Sequence, residues 1–397
     1  MGITFGRRSS AAERARKIPW LRPPRLRTLG ESERRHASWL ELFFDLVFVV
    51  AIAELAHQLV VNHSLNGFLH FAGLFFPVFV AWQGFMAYAD RFDTDDLAFR
   101  TAFLSAMLAI AAMAVQIGDV GRGRGSEAFV LAYVALRSLL LVLYARAWFA
   151  VPDARPLTRF YGLGYTLGVA IWLSSLAVPP PGRYLVWAIA LAEELSLPWL
   201  ASRMHRRIRI SPSHFPERWA LFTLIVIGES VTAVALQTVG SHWQPASVIA
   251  AVVGFASVAA VWWLYFDRQA DVILTGSVFS VLIYSYAHIP LLMGLAAMSA
   301  GVRLLIDEAS EPHLAAGAAV AFLGGIILFI LSLLATRTVT ISGRHGPGLI
   351  LKLATVTALA GMLLASAVLS PLLLALGAAL ALSSLIYVER RLRVALE

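Results

Sequence analysis

The chain has 397 residues, of which 59% are apolar and only 14% are charged. A typical soluble domain has about 25% charged residues, so this composition predicts a membrane protein and excludes an ordinary soluble domain. Cysteine is absent, which excludes disulfides, thiolate metal sites and thiol redox chemistry. The net charge is +8, and residues 1–37 alone contribute +7, from ten Lys or Arg and three acids.

Residues 1–37 form a basic arm that leads directly into the first apolar segment. Basic segments next to a membrane helix are attracted to anionic lipid headgroups on the cytoplasmic face. We therefore expect the arm to have membrane lipids as its partner and expect no nucleic-acid binding.

The segment 39–59 is long and apolar enough to cross a bilayer, yet it contains Glu41, Asp45, Glu54 and His57. One charge near the bilayer centre costs about 2.5–3.5 kcal/mol on insertion scales. Each of these groups must therefore be paired, neutralised or turned toward a polar cavity. The segment indicates that the working parts of the protein lie inside the membrane.

Apolar runs of membrane-spanning length predict an all-α, polytopic bundle of twelve helices. The count becomes eleven if Ser370 and Pro371 lie within one kinked helix or a re-entrant hairpin. The predicted spans are 38–61, 66–89, 97–117, 128–149, 159–178, 183–203, 217–239, 245–266, 272–300, 313–335, 348–369 and 371–388.

The distribution of basic residues predicts the orientation of the bundle. With twelve spans and the N-terminus in the cytoplasm, the inner side carries seventeen Lys or Arg beyond the basic arm. The outer loops then carry four, which are Arg122, Arg124, Arg183 and Arg303. Because Lys and Arg accumulate in cytoplasmic loops, we predict a bacterial inner-membrane protein with both termini in the cytoplasm.

Two parts of the chain resemble each other. The second predicted span ends YADR at 88–91, and the eighth ends YFDR at 265–268. Glu41 opens the first span 49 residues before the aspartate of YADR, and Glu217 opens the seventh span 50 residues before the aspartate of YFDR. This spacing predicts two parallel six-helix repeats, an arrangement found in secondary transporters with a site near mid-membrane.

The predicted organisation is a basic arm, a first six-helix half, a basic cytoplasmic linker and a second six-helix half. Their predicted ranges are 1–37, 38–203, 204–216 and 217–397. The open alternative is that YADR and YFDR are ordinary helix ends and that the acidic spacing is accidental.

Ionisable residues inside the predicted spans form the candidate site. The candidates for solute or ion binding are Glu54, Glu229, His288, Glu193, Glu194 and Arg137. Polar candidates near the inner surface are Glu41, Asp45, Asp90, Glu217 and Asp267. Arg137 is the only fixed cation among the deep residues and can neutralise one carboxylate, which leaves others to bind a proton or a cation. No metal site and no catalytic residue are predicted.

The ninth predicted span is unusually long and contains Pro290 and several glycines. This pattern indicates that the helix bends or breaks near His288, and a break would free backbone carbonyls that can coordinate an ion. A structural proline kink is the alternative.

Four segments resemble the bacterial low temperature requirement A (LtrA) family. They are WLELFFDLVFV at 39–49, ERWALFTLIVIGE at 217–229, YFD at 265–267 and YAHIPL at 286–291. The resemblance covers about residues 36–390 and implies a polytopic inner-membrane protein that is associated by name with growth in the cold. It implies no reaction, cofactor or catalytic residue.

The leading hypothesis is a proton- or cation-coupled secondary transporter of an unknown small solute or ion. Glu54, Glu229 and His288 would line its mid-membrane site, and Arg137 with Glu193 or Glu194 would set the charge of that site.

Two other classes of function stay open. A membrane-embedded enzyme acting on lipids or isoprenoid carriers would use acids at the inner surface, which include Glu41, Asp45, Asp90 and the cluster Asp93, Asp95 and Asp96. A sensor of membrane state, or a scaffold in cold adaptation, would use the basic arm as its output surface.

Overall fold

The computed structural model describes residues 22–27, 37–205, 214–269, 277–339 and 348–394, with the side chains of Asp93, 268–269 and 393–394 left out. Most of the predicted basic arm 1–37 and most of the predicted linker 204–216 lie outside the described residues.

Long helices with short connections make up nearly all of the described chain. We label them α1 Trp39–Val61, α2 Leu65–Arg91, α3 Leu97–Gly121, α4 Ser126–Ala150, α5 Arg155–Ser174, α6 Gly182–Leu200, α7 His214–Gly240, α8 Pro245–Gln269, α9 Val278–Asp307, α10 Ala316–Arg337, α11 Gly348–Leu364 and α12 Pro371–Val394. A single turn of helix, Ser202–His205, follows α6, and α10 contains one π-helical turn, Val320–Gly324.

Within the described ranges, nine helices are long and apolar enough to cross a membrane, namely α2–α5, α7–α10 and α12. Of the others, α1 contains buried Glu41 and Asp45, α6 contains buried Glu194, and α11 is apolar but has 17 residues. The prediction of a helical, multi-pass membrane bundle is confirmed. The count of twelve spans and the two repeats stay predictions.

Helix α9 lies at the centre of the bundle, since 83% of its most apolar stretch is buried. It packs against α1, α7, α8 and α10. The prediction was a bend or a break near His288, and the break is excluded because α9 runs as one helix through Pro290. A bend at this position stays a prediction. The glycines of α9 serve packing instead. A Cβ atom on Gly294 would lie 2.6 Å from the Gly325 carbonyl oxygen, and one on Gly301 would lie 2.3 Å from the Phe322 nitrogen, so only glycine lets α9 and α10 approach this closely.

Two helix boundaries differ from the predicted ones in ways that change the site. Helix α7 begins at His214 instead of 217, and Pro216 lies in its first turn, where a missing N–H costs no hydrogen bond. Helix α9 extends to Asp307, so Arg303 belongs to a helix, and its prediction as an outer-loop residue is wrong.

We call the end of the bundle at which α1 begins the N-terminal face. Here β1 (Arg25–Leu26) pairs antiparallel with β2 (Phe92–Asp93). The backbone N–H of Arg22 donates to Asp96 Oδ2 over 2.8 Å, and Arg146 donates to the same oxygen over 2.7 Å. Residues 22–27 of the arm are therefore held at the end of α2, the start of α3 and the end of α4.

Candidate functional site

Charged side chains are buried where α1, α2 and α7 meet near the N-terminal face. We call this set the α1–α7 network, and its members are Glu41, Asp45, Asp90, His214 and Arg218. None of the five is more than 2% exposed. Because membrane burial of charge is costly, a network of this depth indicates a role beyond helix packing.

Asp45 on α1 links the network to α7. Its Oδ1 accepts hydrogen bonds from Arg218 Nη2 over 2.5 Å and from the Trp82 indole over 2.8 Å. Its second oxygen, Oδ2, is buried and has no hydrogen-bond partner among the described residues. One carboxylate therefore joins α1 to both α2 and α7 and keeps one oxygen for a further partner.

Glu41 and Asp90 contribute the other two carboxylates. Glu41 accepts from the Ser38 N–H over 2.8 Å and so completes a capping box that begins α1. Its Oε2 also lies 3.8 Å from Arg218 Nη1 and 3.9 Å from His214 Nε2. His214 Nδ1 donates to Asp90 Oδ1 over 2.8 Å, so His214 bridges α7 to the end of α2.

The network makes the contact between α1 and α7 depend on charge. Removing one partner of a buried ion pair costs about 3–5 kcal/mol, because the other charge is left without compensation. Protonation of Asp45 would have the same effect on Arg218. The arrangement can therefore convert a protonation event into a change of helix packing.

His288 lies deeper, at the centre of the bundle, and is fully buried on α9. Its Nδ1 is 2.7 Å from the Tyr284 carbonyl oxygen, which can only accept, so Nδ1 carries the proton. Its Nε2 then accepts from the Tyr265 hydroxyl over 3.1 Å, and Tyr265 in turn accepts from Thr223 over 3.3 Å. His288 thus belongs to a chain of polar groups that joins α7, α8 and α9.

Arg137 on α4 pairs with Glu194 on α6, and both side chains are buried. Tyr133 donates to Glu194 Oε2 over 2.7 Å and accepts from Arg137 Nη2 over 2.9 Å. Glu193 lies beside this pair, and its Oε2 and Glu194 Oε1 have no hydrogen-bond partner among the described residues. Both free oxygens face Gly168 of α5.

The remaining deep candidates lie toward the face opposite the N-terminal face. Glu54 is half-buried and accepts from Gln58 over 2.7 Å. Glu229 on α7 is half-buried and interacts with the charge of Arg303 on α9. Arg303 also donates to His57 Nδ1 over 3.4 Å. Within the described part of the chain, no recorded contact joins Glu54, Glu229 and His288 directly.

The inner candidates Glu217 and Asp267 are half-buried at the N-terminal face. Asp267 accepts from Arg390 near the end of α12 over 3.2 Å. The acidic run after α2 has local roles, because Asp95 pairs with Arg100 and Asp96 caps α3 at the Phe99 N–H. The side chain of Asp93 lies outside the described residues.

Sequence reasoning missed His214 and Arg218 as site residues. Both lie in or beside the predicted linker, where basic residues are ordinary cytoplasmic markers. Their spacing of four residues was the available signal, since one more helical turn before 217 places both on one face of α7. Trp82 was also missed, because nothing in the sequence marks its indole as the hydrogen-bond donor to a carboxylate.

Comparison with known proteins gives one family and one relative to report. The family described as "Bacterial low temperature requirement A protein (LtrA)" matches residues 36–385 of this chain. An uncharacterized protein, RA0937, of Rhizobium meliloti (strain 1021) is 26% identical over 325 residues, which cover 75% of this chain and 76% of that protein. The predicted family resemblance is confirmed.

Proposed function

Since this chain is a multi-pass membrane protein that belongs to the bacterial low temperature requirement A family, we propose that it is a proton- or cation-coupled secondary transporter of a small solute. The observation that carries the proposal is the α1–α7 network. Asp45 and Arg218 belong to the two proposed halves, 38–203 and 217–397, and their ion pair connects these halves at the N-terminal face.

Alternating access requires a closure on each side of a central site. The α1–α7 network supplies one toward the N-terminal face. Toward the opposite face, Arg303 on α9 contacts His57 on α1 and interacts with Glu229 on α7, so α1 and α7 are linked there through α9. The buried chain around His288 lies between these two levels.

The proposed coupling step is protonation, or cation binding, at Asp45. Neutralising this carboxylate removes the attraction for Arg218 and leaves the guanidinium buried without its partner, which favours separation of α1 from α7. Glu54, Glu229 and His288 remain the proposed solute- or ion-binding residues. Arg137 with Glu194, and Glu193 beside them, would set the charge of the first half.

The packing pattern supports the proposed pair of six-helix repeats. Helix α1 packs on α2 and α3, and α3 packs on α4; likewise α7 packs on α8 and α9, and α9 packs on α10. We further propose that the N-terminal face is cytoplasmic, in a bacterial inner membrane, with the rest of the basic arm on anionic lipids.

Proton flux in liposomes tests the proposal. Purified protein is reconstituted with an internal pH dye, and a broad panel of solutes is applied outside. We expect at least one solute to drive proton movement, and Asp45→Asn to slow it by about tenfold or more, a barrier change of about 1.4 kcal/mol. Glu229→Gln should also reduce it.

Asp95→Asn is the matched control, because Asp95 is exposed and pairs only with Arg100 among the described residues. This control should transport at the rate of the natural chain. If no solute in the panel moves protons, or if Asp45→Asn and Asp95→Asn behave alike, coupled transport through the α1–α7 network is refuted.

A lipid-modifying enzyme is the second candidate, and the convergence of Glu41, Asp45 and Asp90 at the N-terminal face is the observation in its favour. However, these carboxylates are held by contacts to Arg218 and His214 and do not form a free acid–base pair. A groove of about 520 Å³ opens between α3 and α4, but its lining is apolar and contains none of these acids. Transport is therefore the better-supported proposal.

A further inference from the structure

Two buried arginines in the first half flank a cluster of three tyrosines. Arg91 ends α2 and is 3% exposed, and Arg137 on α4 is fully buried. Between them lie Tyr144 of α4 and Tyr161 and Tyr165 of α5, which we call the tyrosine cluster. Its ring centroids are 5.5–5.7 Å apart, so the three rings contact one another.

Both guanidiniums lie against this cluster. The Arg91 guanidinium is 5.8 Å from the Tyr161 ring, and the Arg137 guanidinium is 5.1 Å from the Tyr165 ring. The Tyr144 hydroxyl interacts electrostatically with both arginines. Positive charge therefore converges on one buried hydroxyl from two directions.

Several hydrogen-bond donors in this region are unused. Arg91 Nε and Arg137 Nη1 are buried and have no hydrogen-bond partner among the described residues. The buried Tyr144 hydroxyl makes no hydrogen bond of ordinary geometry within those residues, although Arg91 and Tyr165 lie close to it. Buried polar groups are nearly always satisfied, and a buried donor without an acceptor costs about 1–3 kcal/mol. Two such guanidinium donors near one buried hydroxyl indicate an acceptor that the described residues do not provide.

Glu194 and Asp90 interact with the charges of Arg137 and Arg91, but Arg137 Nη1 and Arg91 Nε make no hydrogen bond to either acid among the described residues. Glu194 contacts the Nη2 edge of Arg137, which leaves the Nη1 edge free. Asp90, next to Arg91 in the chain, accepts from His214. Arg91 itself donates to the Ala87 carbonyl and to His205 Nε2.

His205 does not compensate this charge. Burial, reinforced by the charge of Arg91, lowers the pKa of His205 to about 3, so the imidazole is neutral at physiological pH. Its Nε2 accepts from Arg91 and from Tyr161. Within the described ranges, no ion pair to a carboxylate is recorded for Arg91.

Gly84 on α2 packs closely beside the Nη1 edge of Arg137. A Cβ atom at this position would lie 2.7 Å from Arg137 Nη1 and 3.6 Å from the Tyr165 hydroxyl. Packing this close beside Arg137 Nη1 limits the acceptor to a small species.

We propose that the tyrosine cluster, with Arg91 and Arg137, forms a binding site for a compact monoanion such as a halide or a small carboxylate. The two guanidinium nitrogens can only donate and the Tyr144 hydroxyl can donate, so an anion can accept from all three. The inference goes beyond the proposed transport function, because anion binding requires no transport. If the protein does transport, the site names the class of its solute.

Thermal unfolding of the purified protein in detergent tests this site. The probes are chloride and acetate, each compared with the bulky anion gluconate at constant ionic strength. A ligand that binds only the folded state raises the unfolding midpoint as its concentration rises. We expect this rise with chloride, with acetate or with both, and the comparison of the two distinguishes a halide from a carboxylate site.

Tyr144→Phe and Gly84→Ala are the test variants. Tyr144→Phe removes one donor and keeps the ring, and Gly84→Ala closes the free edge of Arg137. Because a hydrogen bond to a charged group contributes about 1.5–3 kcal/mol, each variant should weaken apparent anion affinity by about tenfold or more. Tyr184→Phe, a half-buried tyrosine outside the cluster, should bind like the natural chain.

Bromide gives a second readout that does not depend on stability. Its anomalous diffraction signal in crystals should lie beside Tyr144 and be lost in Tyr144→Phe. No stabilisation by either anion, equal effects in all variants, or bromide only at the surface would each overturn the proposal. Anion binding without proton flux would refute the transport proposal alone, and flux without anion binding would refute this one alone.

Discussion

Arg137 on α4 and Glu194 on α6 form an ion pair in which neither side chain is more than 1% exposed. Arg137→Met should therefore lower the free energy of unfolding by about 3–5 kcal/mol, because Glu194 is left buried without its cation. The double variant Arg137→Met/Glu194→Leu should recover most of this loss. Unfolding by denaturant in detergent micelles measures both.

Arg122→Met is the control for this prediction, because Arg122 pairs with Asp119 at an exposed position and its loss should change little. If the double variant is no more stable than Arg137→Met, the ion pair does not explain the burial of these two residues.

Asp96, at the start of α3 outside the span, gives a prediction about pH. Burial opposes ionisation of its carboxyl, but hydrogen bonds from the Arg22 and Phe99 N–H groups and from Arg146 outweigh burial and lower its pKa below the ordinary value of 3.8. The ionised carboxylate thus stabilises the fold above that pH, and the contribution is lost as the pH falls through the lowered pKa.

Asp96→Asn should accordingly cost about 1–2 kcal/mol near neutral pH, and its difference from the natural chain should shrink below about pH 4. Unfolding midpoints across a pH series measure this. Asp153→Asn, at an exposed position on the same face, should leave the profile unchanged. Parallel profiles for Asp96→Asn and the natural chain would show that the carboxylate charge has no such role.

For single residues, the sequence indicated the buried acids but not all of the side chains that pair with them. Glu41, Asp45 and Glu194 could be selected because an acid in an apolar span must be compensated. Their partners come from helices distant in the chain, so periodicity could not identify them. Arg137 was found as a cation within a span, whereas His214 and Arg218 were hidden among the basic residues that mark cytoplasmic loops.

Close contact between α9 and α10 is the feature of the helices most sensitive to single substitutions. A Cβ atom on Gly301 would lie 2.3 Å from the backbone nitrogen of Phe322, so the helices must separate to accept it. Gly301→Ala should destabilise the protein by about 1–3 kcal/mol. Gly361→Ala, at an open helical position on α11, should instead stabilise it by about 0.5–1 kcal/mol.

Unfolding in detergent compares the two substitutions under the same conditions. The opposite signs are the important result, since helix propensity alone predicts that both substitutions stabilise. A stabilising effect of Gly301→Ala would contradict the close packing of α9 on α10.

The positions of the helices followed from the hydropathy of the sequence, but their ends and their continuity did not. Pro290 and the nearby glycines predicted a bend or a break in α9, yet the segment runs as one helix, and the glycines serve packing. The π-helical turn lies in α10, where no proline marks it. The start of α7 at His214 was not predicted, because a histidine in this basic segment is assigned to a loop unless its buried partner, Asp90, is known.

The absence of cysteine allows the orientation and the number of spans to be measured. Single cysteines replace Arg203, Arg122 or Val368, which are exposed at connections between helices. A membrane-impermeant maleimide on intact cells should label Arg122→Cys and Val368→Cys, and should label Arg203→Cys only after lysis.

Val368→Cys tests the uncertain end of the bundle. Labelling from outside requires that α11 and α12 both cross the membrane, whereas protection in intact cells would indicate a re-entrant hairpin. External labelling of Arg203→Cys would contradict the proposed cytoplasmic N-terminal face.

The central claim is that charge at Asp45 controls the contact between the two halves. Spin labels at Trp39 on α1 and Leu224 on α7, both exposed, report the distance across this contact in lipid nanodiscs by pulsed electron resonance. A second pair, Trp39 with Leu104 on α3, lies within the first half and is the reference. The distance from Trp39 to Leu224 should lengthen as the pH falls and should be long at neutral pH in Asp45→Asn, while the reference stays constant. A Trp39–Leu224 distance that is independent of both pH and Asp45→Asn would contradict the account.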